Sequence, residues 1–227
     1  MKFGYMPDFN ENLFSEIRFA KENFDFLELT LELDKQYDVR KVKSLTKNFE
    51  ILGHLHWELN LNLKGDIEKI LHFVDIYKKL DVKKITIHPS LDKRLKLEIL
   101  RSNNIRALNQ ILNYCKNKKI KLLVENDSRV PFSKALEIVN LIKNVSGLGF
   151  TFDIGHALLS NKLDKFLKLK YEHVHLHNVI ANKDHSLFND IKKLKNILNK
   201  IKSKTVTLEI FENKDKMLEQ LRVCKNN

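Results

Sequence analysis

The sequence predicts an α/β protein in which eight parallel strands, each followed by a helix, close into a (β/α)8 barrel. Three observations support this fold class. Segments of strand character and amphipathic helical segments alternate eight times, which is typical of parallel strands joined by helical crossovers. The 227 residues are enough for eight such units, although the usual barrel has about 250. No linker rich in Pro, Gly or Ser divides the chain, so we expect one domain over residues 1–227.

The first half of the chain contains four predicted strands. Residues 2–6 form the first strand, and Pro7 ends it. Asn10 is a predicted helix cap, because apolar residues repeat at helical spacing over residues 13–20. The elements that follow are a strand at 24–31, a helix at 39–48, a strand at 51–56, an amphipathic helix from Gly65 to Tyr77, and a strand at 84–89 that ends at a proline.

The second half contains the other four predicted strands, and one of them is unusual. The elements are a helix at 97–117, a strand at 120–124, a helix at 133–143, a strand at 148–152 with a short helix after it, a strand at 172–178, a helix at 191–201, a strand at 205–210 and a helix at 214–223. The strand at 172–178 alternates polar and apolar residues, which places His173, His175 and His177 on one face. Such a row is poor core material, because every imidazole brings a ring nitrogen that needs a partner. We therefore interpret this strand as part of a functional site.

An open, doubly wound sheet is the alternative fold that the same alternation allows. The nucleotide-binding versions of that fold lose support on the sequence. No Gly-x-Gly-x-x-Gly follows the first strand, and no phosphate-binding Gly-Lys-Ser/Thr occurs.

Composition and charge narrow the class of protein. The chain is 43% hydrophobic and 31% charged, and it has no apolar run near the roughly 20 residues that span a bilayer. It begins without the apolar stretch of a signal peptide, so we expect a cytoplasmic protein with no membrane partner. Cys115 and Cys224 form neither a metal-binding pair nor a disulfide framework. The net charge of +12 has two interpretations: the lysines are spread over the solvent-exposed faces of the helices, or they form a surface that binds nucleic acid.

Side chains of the metal-binding types lie where the predicted strands end, which is where a (β/α)8 barrel forms its site. Eight of the nine histidines lie at or just beyond a strand end, and His72 on a helix is the exception. In strand order the residues are Glu28, followed by Glu32; His54 and His56; His88; Glu125 and Asn126; Asp153 and His156; the three histidines of the seventh strand, with Asp184 and His185 in the loop after it; and Glu209. Together they suit Zn²⁺, Mn²⁺, Co²⁺ or Mg²⁺, whereas His54 taken alone is equally consistent with a structural role.

These segments resemble the xylose isomerase-like barrel superfamily, which includes the sugar phosphate isomerases and epimerases and endonuclease IV. The resemblance covers nearly the whole chain, and it rests on the order and spacing of several short segments. The segments are Gly53-His54-Leu55-His56-Trp57-Glu58-Leu59-Asn60-Leu61, Ile87-His88-Pro89, Leu123-Val124-Glu125-Asn126, Phe152-Asp153-Ile154-Gly155-His156-Ala157, His175-Leu176-His177-Asn178, Asp184-His185 and Leu208-Glu209.

The isomerase and epimerase branch implies one divalent metal and a sugar or sugar phosphate as substrate. The resemblance places the metal ligands on Glu125, Asp153, His175 and Glu209. In that branch the two glutamates are catalytic: they flank the substrate carbon and transfer its proton, while the metal polarises the carbonyl and stabilises an enediolate. His156 would contact substrate oxygens.

The endonuclease IV branch implies nine ligands around three zinc ions and cleavage of DNA at abasic sites. The resemblance extends the ligand set to His54, His88, His156, Asp184 and His185. The sequence departs from that branch at Asp184 and His185, which are adjacent rather than separated by one residue. Two glycine-rich loops of that branch are replaced by Ser128-Arg129-Val130-Pro131 and Ser186-Leu187-Phe188.

The missing loops favour the isomerase or epimerase branch, whereas the full ligand set and the basic charge favour the endonuclease branch. We expect the first and keep the second as the alternative, beside other metal-dependent activities and a non-catalytic binding barrel. Trp57 either lines the site, where it would stack on a sugar or a base, or packs beside the barrel rim.

Overall fold

The computed structural model describes residues 1–8, 11–33, 35–181 and 183–227. Ten strands lie in this part of the chain, and eight of them form one closed ring. The strands are β1 (Lys2–Tyr5), β2 (Phe26–Thr30), β3 (Glu50–His54), β4 (Lys84–Ile87), β5 (Lys121–Glu125), β6 (Gly149–Asp153), β7 (His173–Leu176), β8 (Asn178–Ile180), β9 (Lys183–Ser186) and β10 (Thr205–Leu208).

The ring runs in the order β1-β10-β7-β6-β5-β4-β3-β2, and every neighbouring pair in it is parallel. The predicted (β/α)8 barrel is therefore confirmed, and the alternative of an open sheet is wrong. That residues 1–227 form a single domain stays a prediction.

Helices follow the barrel strands and cover the outside of the ring. They are α1 (Leu13–Asn23), α2 (Val39–Leu45), α3 (Lys64–Lys79), α4 (Leu97–Asn117), α5 (Ala135–Asn144), α6 (Ile154–Leu159), α7 (Leu163–Phe166), α8 (Ile191–Leu198) and α9 (Lys214–Lys225). The longer helices bury an apolar stripe, as α3 does with Ile70, Val74 and Tyr77, whereas the short helices α2 and α7 bury one residue each. None of the helices in the described residues has both the length and the apolar composition that crossing a membrane requires.

The element boundaries differ from the predicted ones in a few places. The predicted cap Asn10 lies outside the described residues, and α1 is capped instead by Asn12, whose side chain accepts hydrogen bonds from the backbone N–H groups of Phe14 and Ser15. The helices predicted at 39–48 and 191–201 end earlier, at Leu45 and Leu198. The antiparallel hairpin of β8 and β9 was not predicted.

The inside of the barrel is unusually polar. Thr86 and Thr151 share a hydrogen bond of 2.9 Å there. The Tyr77 hydroxyl on α3 lies 2.9 and 2.7 Å from the carbonyl oxygens of Leu29 and His54, and its single hydrogen is shared between them. Polar side chains are therefore held in place from the barrel interior up to the carboxyl ends of the strands.

Candidate functional site

Four side chains meet at the carboxyl ends of neighbouring strands. Glu125 ends β5, Asp153 ends β6, His175 lies in β7, and Glu209 directly follows β10. These strands are consecutive in the ring, and Asp153 and His175 are partners in the strand register. Each residue offers one ligand atom, the four atoms lie within 4.8 Å of one another, and all four residues are buried.

The Nδ1 atom of His175 is the centre of this group. It lies 3.0 Å from Glu125 Oε1, 3.0 Å from Glu209 Oε2 and 3.9 Å from Asp153 Oδ2. Burial lowers the pKa of His175, but the surrounding carboxylates outweigh burial and hold that pKa well above its ordinary value. A positive charge at this point, either a proton on His175 Nδ1 or a cation bound to it, would compensate carboxylates that otherwise repel one another.

The arrangement fits a divalent cation. Glu209 Oε2 is buried and makes no hydrogen bond within the described part of the chain, despite its distance of 3.0 Å from His175 Nδ1. Unpaired buried carboxylate oxygens are costly unless they bind a cation or a proton donor. Three carboxylates and one imidazole form a mixed oxygen and nitrogen donor set, which suits Zn²⁺, Mn²⁺, Co²⁺ or Mg²⁺.

Both glutamates of the group are ionised. Burial raises the pKa of Glu125, but the positive charges of His175 and His88 outweigh it, and the pKa lies well below its usual range. Burial likewise raises the pKa of Glu209, and the charges of His175 and His185 reverse the effect and lower it. Both carboxylates are therefore available as metal ligands or as bases.

A second group of donors lies around the other oxygen of Glu125. His54 Nε2 is 3.2 Å and His88 Nε2 is 3.4 Å from Glu125 Oε2, and the two imidazole centroids are 5.1 Å apart. His54 Nδ1 is buried and has no hydrogen-bond partner among the described residues. The structure thus brings both predicted histidines to Glu125.

A third group lies on the other side of Asp153 and contains His177. His177 Nε2 is 2.9 Å from Asp153 Oδ2, and His177 Nδ1 is 3.0 Å from Asp184 Oδ1. His156 Nδ1 donates to the carbonyl oxygen of Asn126 at 2.8 Å, which leaves His156 Nε2 facing Asp184 Oδ2 at 3.6 Å. The sequence pattern placed His177 on the seventh strand but did not indicate its position between two aspartates.

The β8–β9 hairpin carries Asp184 and His185 into the site. His185 adopts a left-handed conformation with φ of 53°, which is uncommon for a residue with a side chain. Its backbone N–H points to His177 Nδ1 at 3.2 Å, and its Nδ1 lies 3.7 Å from Glu209 Oε1. The hairpin therefore brings the last two predicted residues next to the others.

Glu28 is a buried site residue to which the sequence reasoning gave no role. Its Oε1 lies 3.1 Å from His175 Nε2 and its Oε2 lies 2.8 Å from His173 Nε2. Burial raises the pKa of Glu28, but the charges of His175 and His173 outweigh it, and the pKa lies well below the usual range. In the sequence, Glu28 is recognisable only as a single acid between the apolar residues Leu27 and Leu29 of strand β2.

His173 corrects the expectation that eight histidines lie at strand ends. It is the first residue of β7 and faces the barrel interior, where Nδ1 lies 2.9 Å from the Thr205 hydroxyl. The alternating pattern gave its face correctly. Its position along the barrel axis differs from the expected one: His173 lies at the amino end of β7, and only His175 and His177 lie near the carboxyl end.

A cavity of about 330 Å³ opens above these groups. Trp57 lines it with 56% of its surface exposed, so the prediction that this residue lines the site is the one the structure supports. Arg129 also lines the cavity, and it donates two hydrogen bonds of 2.9 and 2.7 Å to the buried carboxylate of Asp127. The cavity is in the size range of small-molecule sites.

Three comparisons place the chain among known proteins. MJ1614, an uncharacterized protein of Methanocaldococcus jannaschii, is 26% identical over 241 residues, which cover 97% of this chain and 93% of that protein. A D-tagatose 3-epimerase-like protein has a similar structure, with a TM-score of 0.81, 23% identity, and coverage of 100% of this chain and 97% of the other. An AP endonuclease of family 2 from Brucella melitensis has a TM-score of 0.76 at 16% identity, and the match covers 97% of this chain and 98% of the other.

At such identities the two structural matches show a shared fold. The sequence model described as xylose isomerase-like TIM barrel matches residues 18–227, which is most of the chain. The protein therefore belongs to the xylose isomerase-like TIM barrel family.

Proposed function

We propose that this protein is a divalent-metal-dependent isomerase or epimerase of a sugar or sugar phosphate. The observation that carries the proposal is the convergence of Glu125, Asp153, His175 and Glu209 on one point beneath an open cavity. The D-tagatose 3-epimerase-like protein among the structural matches supports the same reaction class. The cavity of about 330 Å³ suits a monosaccharide or its phosphate better than a polymer.

The two glutamates would carry the proton transfer. Glu125 and Glu209 each have a carboxylate oxygen 3.0 Å from His175 Nδ1; Glu125 ends β5 and Glu209 directly follows β10, and these two strands lie on opposite sides of β7 in the ring. In an isomerase, one carboxylate takes a proton from the carbon beside the carbonyl and returns it to the former carbonyl carbon. In an epimerase, a second carboxyl group on the opposite face returns a proton to the same carbon, which inverts its configuration. A divalent cation held by the four residues would supply the Lewis acidity that polarises the carbonyl oxygen and makes that proton acidic.

Other residues would hold the substrate. His156 donates from Nδ1 to the carbonyl oxygen of Asn126, which orients its ring so that Nε2 is the nitrogen available to hydrogen-bond a substrate hydroxyl in the cavity. Trp57 offers an exposed aromatic face to the apolar side of a sugar ring. Arg129, fixed by Asp127, offers its remaining N–H groups at the same opening.

The test is proton exchange at carbon. Purified protein, loaded with one cation at a time, is incubated with a panel of ketoses and ketose phosphates in deuterated water, and NMR follows product and deuterium at the carbon beside the carbonyl. We expect a chelator to abolish exchange, and Glu125→Gln or Glu209→Gln to lower the rate by about 10²–10⁴-fold. His72→Gln on α3 is the matched control and should leave the rate unchanged. Full exchange in both glutamine variants would disprove the proposal.

A second candidate function is cleavage of DNA at abasic sites. The observation that favours it is the extra set of donors, which together offer ligands for more than one cation: His54 and His88 at Glu125, His156 facing Asp184, and His185 grouped with His177 and Glu209. The net charge of +12 and the AP endonuclease among the structural matches agree with it.

A metal count and one assay separate the two candidates. One cation per chain supports the isomerase or epimerase, and three support the endonuclease. In the endonuclease His88→Ala should lower the metal content, whereas in the isomerase the content should stay the same. Chelator-sensitive cleavage of a duplex with an abasic site, lost in Glu125→Gln, would replace the first proposal. Binding of DNA without cleavage does not count for either function, because a basic protein binds phosphates in a salt-dependent way.

A further inference from the structure

A fully buried network lies one layer below the candidate metal site, inside the barrel. Its centre is the carboxylate of Glu28, which has no exposed surface and extends from β2 across the interior to β7 and β10. The groups around it are His173, His175, Thr205 and Thr207. Of this network, the proton transfer described above uses only His175, and it gives no role to Glu28, His173, Thr205 or Thr207.

Both oxygens of Glu28 are surrounded by groups that can donate. Oε1 lies 3.1 Å from His175 Nε2. Oε2 lies 2.8 Å from His173 Nε2 and also accepts a hydrogen bond from the Thr207 hydroxyl. An ionised carboxylate can only accept hydrogen bonds, so the facing nitrogens of both histidines must carry protons.

This requirement gives the network one consistent arrangement of protons. His173 carries its proton on Nε2, and its Nδ1 accepts from the Thr205 hydroxyl at 2.9 Å. His175 carries its proton on Nε2 as well. Its other nitrogen, Nδ1, faces Glu125 and Glu209 and is the only ring nitrogen left to bind a cation.

We propose that Glu28 is a positioning residue that sets the affinity of the site for its cation. It holds His175 in the tautomer that directs the Nδ1 lone pair at the three carboxylates, and its negative charge makes that nitrogen a stronger donor. A carboxylate bound to the far nitrogen of a metal-binding histidine commonly has this effect, and its loss lowers metal affinity by about 10–100-fold. The inference rests on the proposed function for the existence of the metal site, and it adds a residue outside the ligand set.

The test measures metal affinity rather than turnover. Glu28→Gln keeps the size and shape of the side chain and removes its charge. We expect this variant to bind Zn²⁺ or Mn²⁺ about 10–100-fold more weakly than the wild type, in competition with a chromophoric chelator. The matched control is Thr86→Val, which breaks the interior hydrogen bond to Thr151 and contacts neither Glu28 nor His175. Wild-type affinity in Glu28→Gln, or an equal loss in Thr86→Val, would overturn the proposal.

A second measurement needs no variant, and it decides the question if Glu28→Gln does not fold. Nitrogen-15 NMR of the histidine-labelled, Zn²⁺-loaded wild type should show His175 with a proton on Nε2 and none on Nδ1. The opposite tautomer would overturn the proposal. Failure of the proposed function is a separate result: it appears as normal cation affinity and the expected tautomer with no reaction on any sugar.

Discussion

The substitution Gly155→Ala tests how tightly the site is packed. Gly155 lies in α6 next to Asp153, directly against the ring of His177. A Cβ atom at this position would stand 1.8 Å from His177 Cε1 and 2.1 Å from its Nδ1. Since ordinary van der Waals contact begins near 3.4 Å, the imidazole must move by more than an ångström.

The expected loss of stability follows from the contacts that hold the imidazole ring of His177. His177 bonds to Asp153 at 2.9 Å and to Asp184 at 3.0 Å, and a displaced ring cannot keep both contacts. Overpacking costs about 1–3 kcal/mol, and loss of one hydrogen bond to a charged group costs about 1.5–3 kcal/mol. Gly→Ala in a helix returns up to about 1 kcal/mol. We therefore expect Gly155→Ala to lower the free energy of unfolding by about 2–5 kcal/mol, a large share of the usual total of about 5–15 kcal/mol.

Urea unfolding followed by circular dichroism measures this loss. Gly65→Ala in α3 is the matched control, because no described atom lies within 4 Å of its added Cβ, and it should be neutral or slightly stabilising. Combining Gly155→Ala with His177→Ala removes the clash. The double variant should then be about as stable as His177→Ala alone. If Gly155→Ala costs as much in the His177→Ala background as in the wild type, the steric reasoning is refuted.

Three further predictions concern the rest of the molecule. Lys214→Ala should cost about 1–3 kcal/mol of unfolding free energy, because it leaves the fully buried Glu16 carboxylate without the lysine that pairs with it. Lys2→Ala breaks an exposed ion pair and should cost less than about 1 kcal/mol. Equal losses for the two variants in urea titrations would contradict this prediction. Burial raises the pKa of the Cys115 and Cys224 thiols to about 12. An aromatic disulfide reagent at pH 8 should therefore react with these thiols only after the protein unfolds. Fast reaction with the native protein would contradict this expectation. A divalent cation at 100 times its Kd should raise the unfolding free energy by about 2.7 kcal/mol, and excess chelator should reverse the gain; an unchanged urea midpoint would count against a metal site.

The barrel could be predicted from the sequence because its strands and helices have different hydrophobic periods. The same periods gave the strand ends, and strand ends that are neighbours in a barrel must lie together. That is why Glu125, Asp153, His175 and Glu209 could be grouped although they are far apart in the chain. Their roles as ligands and catalysts, and those of the five further residues, stay predictions.

Other features could not be predicted from the sequence. The strands of the β8–β9 hairpin have only three and four residues, and they are too short to show the alternation of polar and apolar residues by which strands are recognised. Side chains help to hold the chain around it, as when the Asn178 amide donates to the carbonyl oxygen of Leu187 at 3.3 Å. Glu28 was visible as an isolated acid, but its partners His173 and His175 lie about 145 residues away in the chain, and spacing does not reveal such a pairing.

The closure of the barrel has a consequence for how the protein is made. Strand β1 is paired on one side with β2 and on the other with β10, the last barrel strand to be synthesised. Until β10 emerges from the ribosome, β1 keeps an open edge with unpaired backbone groups, the kind of edge that recruits other strands and promotes aggregation. Glu209 follows β10 directly, so the same late event completes the four-residue group. Before its last strand is in place, the nascent chain therefore exposes an edge that can pair with other strands, and it cannot capture a cation with all four residues.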